Sequence, residues 1–274
     1  MVGEKSSKKS VTTTAQDDND PLMVRSVEKA FRVLGAFDAG YGSLSLSQIA
    51  ASAGLDKSGA QRFTHTLVKL GYLCKDPATK HYELTPKTLN LGYQYSRASA
   101  LVERSMPYLI HLSQVANETV SLTVLDDCDV VFVSRFLSPH MLNTGVMVGS
   151  RRPAYCTAPG IAILAALPPE EATAILERSD RRPITPATVW QMDALQEKLK
   201  HTRENGYSIA MEEIYPGDIS LGAAVKTATG KVAGAISIGV SRIRYEKEQA
   251  IEKFAPLVIA AARSVSSANP IERR

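Results

Sequence analysis

Cysteine is scarce in this chain: Cys74, Cys128 and Cys156 are the only three, widely separated and odd in number. That excludes a disulfide framework and suits a reducing compartment. CxxC, HxxxH and HExxH spacings are absent, so no metal site is expected. The GxxxxGK[ST] phosphate cradle is missing too, and no cofactor is expected. No apolar run is long enough to span a bilayer, and residues 1–20 lack the apolar core of a secretory signal. Together these absences predict a cytoplasmic protein with no membrane partner. A catalytic cysteine needs an orienting base. For Cys156 the only nearby candidate is His140, sixteen positions upstream, and the rest of the constellation is absent, so no enzyme is expected.

Acidic residues are missing from one stretch in particular. Between Lys57 and Leu70 the charges are Lys57, Arg62 and Lys69, with His65 among them, although the whole chain carries only +4. This stretch belongs to a longer segment, 44–73, LSLSQIAASAGLDKSGAQRFTHTLVKLGYL. Leu46, Ile49 and Ala50 make one helical stripe, with Ser45 or Ser47 as its N-cap. Gly54 can take the left-handed conformation that ends a helix, and Leu55 plugs the corner. Asp56, Lys57 and Ser58 open a second helix whose expected buried positions are Ala60, Phe63, Leu67 and Leu70. Helix, glycine turn, helix is the helix-turn-helix pattern, whose second helix enters the DNA major groove.

The neighbouring segments complete a domain. Residues 24–37 predict a helix with Val27, Ala30, Phe31, Leu34 and Phe37 covering the helix-turn-helix; Gly40 and Gly42 then break the chain. Residues 72–75 and 81–84 read as a strand pair around a DPATK turn, which makes a wing. The expected organisation is a disordered tail at 1–21, a winged helix-turn-helix at 22–85, a linker helix at 86–104, an α+β domain at 105–268 and a tail at 269–274. Pro107 marks a boundary, with a further helix at 108–116. Strands are expected at 120–125, 130–136, 145–148, 207–212, 221–226 and 232–240. Helices are expected at 156–167, 169–178, 189–205 and 246–266. Strands, a helical insertion and more strands imply an antiparallel sheet with helices packed on it.

Base reading needs side chains that reach base edges, and phosphate anchoring needs cations and small donors. Lys57, Ser58, Gln61, Arg62 and His65 project from the first two turns of the second helix. Arg62 suits guanine and Gln61 adenine. Ser58 and Thr64 suit phosphates, Ser47 joins them at the opening of the first helix, and the hairpin tip adds Lys80 and His81. Double-stranded operator DNA is the expected partner. The competing reading is a small-molecule sensor or protein-interaction module whose winged helix does not bind DNA.

Five ordered segments resemble the IclR family of bacterial transcriptional regulators: VRSVEKAFRVLGAF, the 44–73 segment, YELTPKTLNLGYQY, RRPAYCTAPGIAILAALP, and GYSIAMEEIYPGDISLGAAV leading into GAISIGVS. Within it, QRFTHTL and RRPAYCTA look most similar to the branch governing aromatic-acid catabolism. The resemblance implies a C-terminal effector domain of GAF-like fold, self-association as a dimer or tetramer through the linker helix, and a small-molecule effector. The implied effector residues are Tyr155, Cys156, Thr157, Ala158, Met211, Ile219, Ser220, Ser237 and Gly239. Thr157 and Ala158 start a helix whose N–H groups favour a carboxylate, Ser220 and Ser237 offer hydroxyls, and Tyr155, Met211 and Ile219 wall an apolar ring. Ala210, Ser220, Gly239 and Ile161 depart from the residues common in the family, so the implied pocket keeps its position but not its polar pattern.

Overall fold

The computed structural model describes residues 20–37, 42–140 and 145–268. The tails expected at 1–21 and 269–274 lie outside these, apart from residues 20 and 21, as does Gly40. The chain divides into two compact units between Gln94 and Tyr95.

The first unit contains α1 (Arg25–Leu34), α2 (Leu46–Ala53), α3 (Lys57–Lys69) and the hairpin β1 (Leu73–Lys75) with β2 (Tyr82–Leu84). Ser45 is the N-cap of α2, in a reciprocal capping box with Gln48: the Gln48 N–H donates to Ser45 Oγ and the Ser45 N–H to Gln48 Oε1 at 2.8 Å. Gly54 ends α2 at φ 62° and ψ 41°, the left-handed cap the turn requires. Asp56 caps α3 by accepting the Gly59 N–H at 2.7 Å, and that bond first holds its carboxyl below the usual range. Leu44 bridges to the wing, exchanging backbone hydrogen bonds with Tyr82 at 2.9 and 2.8 Å.

Val33, Ile49, Ala53, Leu67, Leu73 and Tyr82 form the core of this unit. Full burial of a side chain such as Ile49 or Leu73 contributes about 1.5–3 kcal/mol. Two expectations change. Helix α1 buries Val33, while Val27 and Phe31 are 51% and 59% exposed. Of the expected stripe, Leu34 and Phe37 pack on the core beside Val33, and Arg32 donates across to the Gly54 carbonyl at 3.3 Å. On α3, Leu70 falls just past the helix and is exposed, and Thr64 takes a core position instead.

Residues 86–88 form a 3₁₀ turn that leads into α4 (Leu89–Ala98). The continuous linker helix expected at 86–104 stops there. Ser99 is extended at φ −78° and ψ 105°, and its Oγ accepts the Val102 N–H to cap α5 (Ala100–Ala116). Pro107 lies inside α5 rather than at a boundary. One backbone hydrogen bond is lost there; burial of Val102, Leu109, Leu112 and Ala116 offsets it.

The second unit is α+β. Its remaining elements are β3 (Thr119–Asp126), β4 (Asp129–Phe136), β5 (Arg151–Pro153), α6 (Ala158–Ala166), α7 (Pro169–Arg178), α8 (Met192–Asn205), β6 (Ser208–Met211), β7 (Asp218–Lys226), β8 (Val232–Ser241) and α9 (Lys247–Ser267). The six strands form one antiparallel sheet in the order β5-β4-β3-β8-β7-β6. Val120, Leu122, Ile219, Leu221, Ile236 and Ile238 point to one face, against Leu109, Leu112, Phe254 and Val258 of α5 and α9. The other face meets α6, with α7 and α8 outside it. The strand expected at 145–148 is instead a loop tied to β4 by Gly149 N–H to Phe132 O at 2.8 Å, and the strand follows at β5. Gly145 and Gly149 both have positive φ there, which an extended strand does not allow.

Candidate DNA interface and effector cavity

The second helix of the helix-turn-helix presents one continuous polar face. Lys57, Ser58, Gln61, Arg62 and His65 are all exposed on α3, and Thr66 and Lys69 extend the row. Ser47 is exposed in the first turn of α2. Thr64 is not on this face: it is fully buried, and its hydroxyl donates to the Ala60 carbonyl at 2.9 Å. That removes it from the DNA-facing set, because four residues after Ala60 the helix returns to its core side. Lys80 is exposed at the wing tip but takes φ 60°, and its ammonium donates to the Pro77 carbonyl of the same turn. Asp76 closes that turn by accepting the Ala78 and Thr79 N–H groups at 2.7 and 3.0 Å. Lys87 is a cation that sequence reasoning missed. It donates to the Leu70 carbonyl at 2.8 Å and caps the end of the recognition helix.

In the second unit, a cavity of about 80 Å³ lies between the sheet and the start of α6. That is several times the roughly 10–15 Å³ one water needs. Close packing sets its floor. Gly222 of β7 touches α6, and a Cβ there would stand 2.8 Å from the Ala158 carbonyl. Ser208 fastens the same carbonyl by donating to it at 2.6 Å. Thr157 caps α6, accepting the Gly160 N–H at 3.2 Å; Pro159 carries no N–H. The helix start therefore has fewer donors for an anion than its position suggests.

Six of the nine expected effector residues line this cavity: Cys156, Thr157, Ala158, Ser220, Ser237 and Gly239. The other three do not. Ile219 is fully buried on the opposite side of the sheet, and Met211, its partner in register, packs on that side too. Strand side chains alternate, so Ile219 and Ser220 cannot share a wall. Tyr155 is buried in the core, where its hydroxyl donates to the Arg182 carbonyl at 2.8 Å and burial pushes its pKa up to about 12. Cys156 belongs to the 3₁₀ turn before α6, not to the helix N-terminus, and its thiol donates to the Pro153 carbonyl at 3.9 Å. Ile161 is a core residue.

The charged lining comes from residues that the sequence reading did not single out. Arg135 of β4 donates to Ser121 Oγ at 3.0 Å and lies over the Phe132 ring. Burial draws its guanidinium below its usual value, and Asp218 opposes that. Arg152 donates to the Tyr215 hydroxyl at 2.7 Å. Glu118 pairs with Arg244, and Glu213 with Lys198, whose charge opposes the burial that raises the Glu213 carboxyl. Glu212 pairs locally, with Arg242 and the Gly217 N–H. Asp218 accepts the Ser220 hydroxyl at 3.3 Å, and burial pushes its carboxyl up to about 6. Register brings these together: Ser121 stands opposite both Arg135 and Ser237, and Ser220 opposite Gly239. Single-strand periodicity carries no trace of such pairings. A larger groove, about 980 Å³, lies where α6, α8 and α9 end. Its Arg203 stands in the last turn of α8, where a cation offsets the helix dipole.

Among the described residues no helix is long and apolar enough to cross a membrane. Residues 26–77 match the IclR helix-turn-helix domain, and residues 93–267 match the bacterial transcriptional regulator IclR C-terminal domain. The chain is 28% identical over 247 residues to the Pca regulon regulatory protein of Pseudomonas putida, covering 90% of this chain and 84% of that one. A solved Rhodococcus sp. RHA1 structure described as a transcriptional regulator superposes with TM-score 0.78 at 32% identity, over 89% of this chain and 97% of that one. An IclR homolog from Microbacterium hydrocarbonoxydans complexed with 4-hydroxybenzoate superposes with TM-score 0.75 at 23% identity, over 88% and 98% of the two chains. With both matched domains in order and the second alone spanning more than half the sequence, the chain belongs to the IclR family of bacterial DNA-binding transcriptional regulators.

Proposed function

We propose that this regulator controls a catabolic operon for a small aromatic or other organic acid, and that the acid itself binds the cavity as effector. The observation that carries this reading is Arg135, a partly desolvated guanidinium on the cavity wall, held by Ser121 and suited to a carboxylate. The Pca regulon regulator and the 4-hydroxybenzoate complex among its relatives support the same chemical class. Lys57, Ser58, Gln61, Arg62 and His65, with Ser47 and Lys80, are the proposed operator contacts. The protein acts in the cytoplasm as a dimer or tetramer, and self-association covers apolar residues left exposed on α1 and α4, such as Phe31 and Leu89. Effector binding favours one arrangement of the two recognition helices over another, with a coupling of about 1–3 kcal/mol.

A panel of aromatic and aliphatic acids in a thermal-shift assay tests this. An effector at 100 times its dissociation constant stabilises by about 2.7 kcal/mol. Arg135→Ala is expected to abolish that shift and the effector's influence on operator binding while leaving operator affinity intact. A full shift in the variant would remove Arg135 from the site.

A further inference from the structure

We propose that Asp218 determines effector specificity: it selects acids that carry a hydroxyl remote from the carboxylate and rejects acids with a second carboxylate there. The inference rests on the cavity being the effector site.

Three carboxylates line the cavity, and two of them are neutralised. Glu118 is paired with Arg244 and Glu213 with Lys198. Asp218 differs. Among the described residues, the Ser220 hydroxyl at 3.3 Å is its side chain's only hydrogen-bond partner, and no cation stands within ion-pair distance. Arg135 acts on it through space. A carboxylate has about four lone-pair sites, so most of its accepting capacity remains in a wall that burial has taken from water.

The space beside it is open for a ligand atom. Gly239 stands opposite Ser220 in register, and a Cβ there would lie 3.5 Å from Ser220 Oγ and 3.8 Å from Asp218 Oδ1. Any larger side chain would extend toward this corner; glycine leaves it clear. Asp218 and Arg135 stand on β7 and β4, three strand spacings apart, or about 14 Å from backbone to backbone. The long arginine side chain shortens that gap. The cavity thus has a cationic pole on β4 and an accepting pole on β7. A ligand matching both has a carboxylate at one end and an O–H donor at the other. A second carboxylate would meet Asp218 with like charge, which is a repulsive means of selection. A ligand lacking the hydroxyl leaves the carboxylate without its donor, the kind of mismatch polar sites reject strongly.

Two matched series measured by calorimetry on the full chain test this: 4-hydroxybenzoate, benzoate and terephthalate, and 6-hydroxyhexanoate, hexanoate and adipate. In at least one series the hydroxylated acid should bind wild type about 10- to 100-fold more tightly than its two analogues. Asp218→Leu should erase the preference for the hydroxyl. Asp218→Asn keeps an accepting oxygen, so it should retain that preference but admit the dicarboxylic acid about tenfold more tightly; it also serves if the leucine variant does not fold. Equal binding of hydroxylated and dicarboxylic acids by wild type, or an intact preference in Asp218→Leu, overturns the inference. Binding that Arg135→Ala abolishes but that shows no hydroxyl preference overturns it alone. Failure of every acid to bind wild type overturns the cavity reading and this inference with it.

Discussion

The two units of this regulator present their chemistry in opposite ways. On α3 the functional groups come from one helix, spaced so that Ser58, Gln61, Arg62 and His65 share a solvent face while Ala60, Thr64 and Leu67 share the core face. In the cavity the groups come from β3, β4, β7, β8 and the start of α6, none contributing more than a few atoms. A recognition helix must be exposed and regular to enter a groove. A small-molecule site must be concave, so its walls are assembled from segments distant in sequence.

Four substitutions probe the contrast, from the largest expected effect to the smallest. Gly222→Val should strike the cavity unit hardest. A Cβ there already stands 2.8 Å from the Ala158 carbonyl, so overpacking is expected to cost about 3 kcal/mol or more, measured by thermal or urea unfolding. Because that contact lies wholly in the second unit, the far-ultraviolet transition of the first unit should be retained. Loss of both transitions together would mean that the units unfold as one.

Arg62→Ala, beside Thr64→Val, tests the face of the recognition helix. The arginine is expected to cost about 1–3 kcal/mol of operator affinity and relax one base preference in gel-shift titrations. Thr64 is buried and bonds Ala60, so its variant should leave affinity unchanged. Equal effects from the two would undo the distinction between core and DNA face.

Asp218→Asn has a smaller effect, on stability, and it depends on pH. The folded carboxyl titrates at about 6 against an ordinary 3.8, so the folded chain holds its proton more tightly than the unfolded chain does. Stability therefore falls as pH rises from about 4 to about 6, and the loss is complete above the folded value. The variant should raise Tm by about 2–4 °C at pH 7–8 and leave it unchanged near pH 3. A gain that does not vary with pH would locate the effect in packing rather than ionisation. Stability given up at a binding residue is a common trade in functional sites.

Much of the first unit was legible because its signals are local. The Ser45–Gln48 capping box, the left-handed Gly54 and the Asp56 cap all act within four residues, and the row of donors on α3 lies along a single helix. Where the reading failed there, the cause was a contact from elsewhere. Packing of α1 on α2 and α3 buries Val33, with Leu34 and Phe37 beside it, and leaves Val27 and Phe31 exposed. Ser99 and Pro107 show the same limit in the second unit. A serine with no turn motif around it breaks the helical run, while a proline is carried inside α5 because the sheet buries its neighbours. The proposed effector site was half legible. The motif at 156–158 and the serines of β7 and β8 line the cavity, but Tyr155, Met211 and Ile219 do not. Arg135 lay outside every quoted segment, and Arg152 and Asp218, though inside two of them, were not singled out.

The sequence alone determined where most helices and strands form, that a cationic helix follows a glycine turn, and that a separate α+β unit follows the winged one. These follow from backbone preference, capping and periodicity, which act over a few residues. Tertiary structure decided which face of α1 is buried and which of two adjacent strand residues looks into the cavity. It also placed the Asp218 carboxylate across the cavity from an arginine. Those depend on strand register and on close glycine contacts between segments up to about a hundred residues apart, and no local rule encodes them.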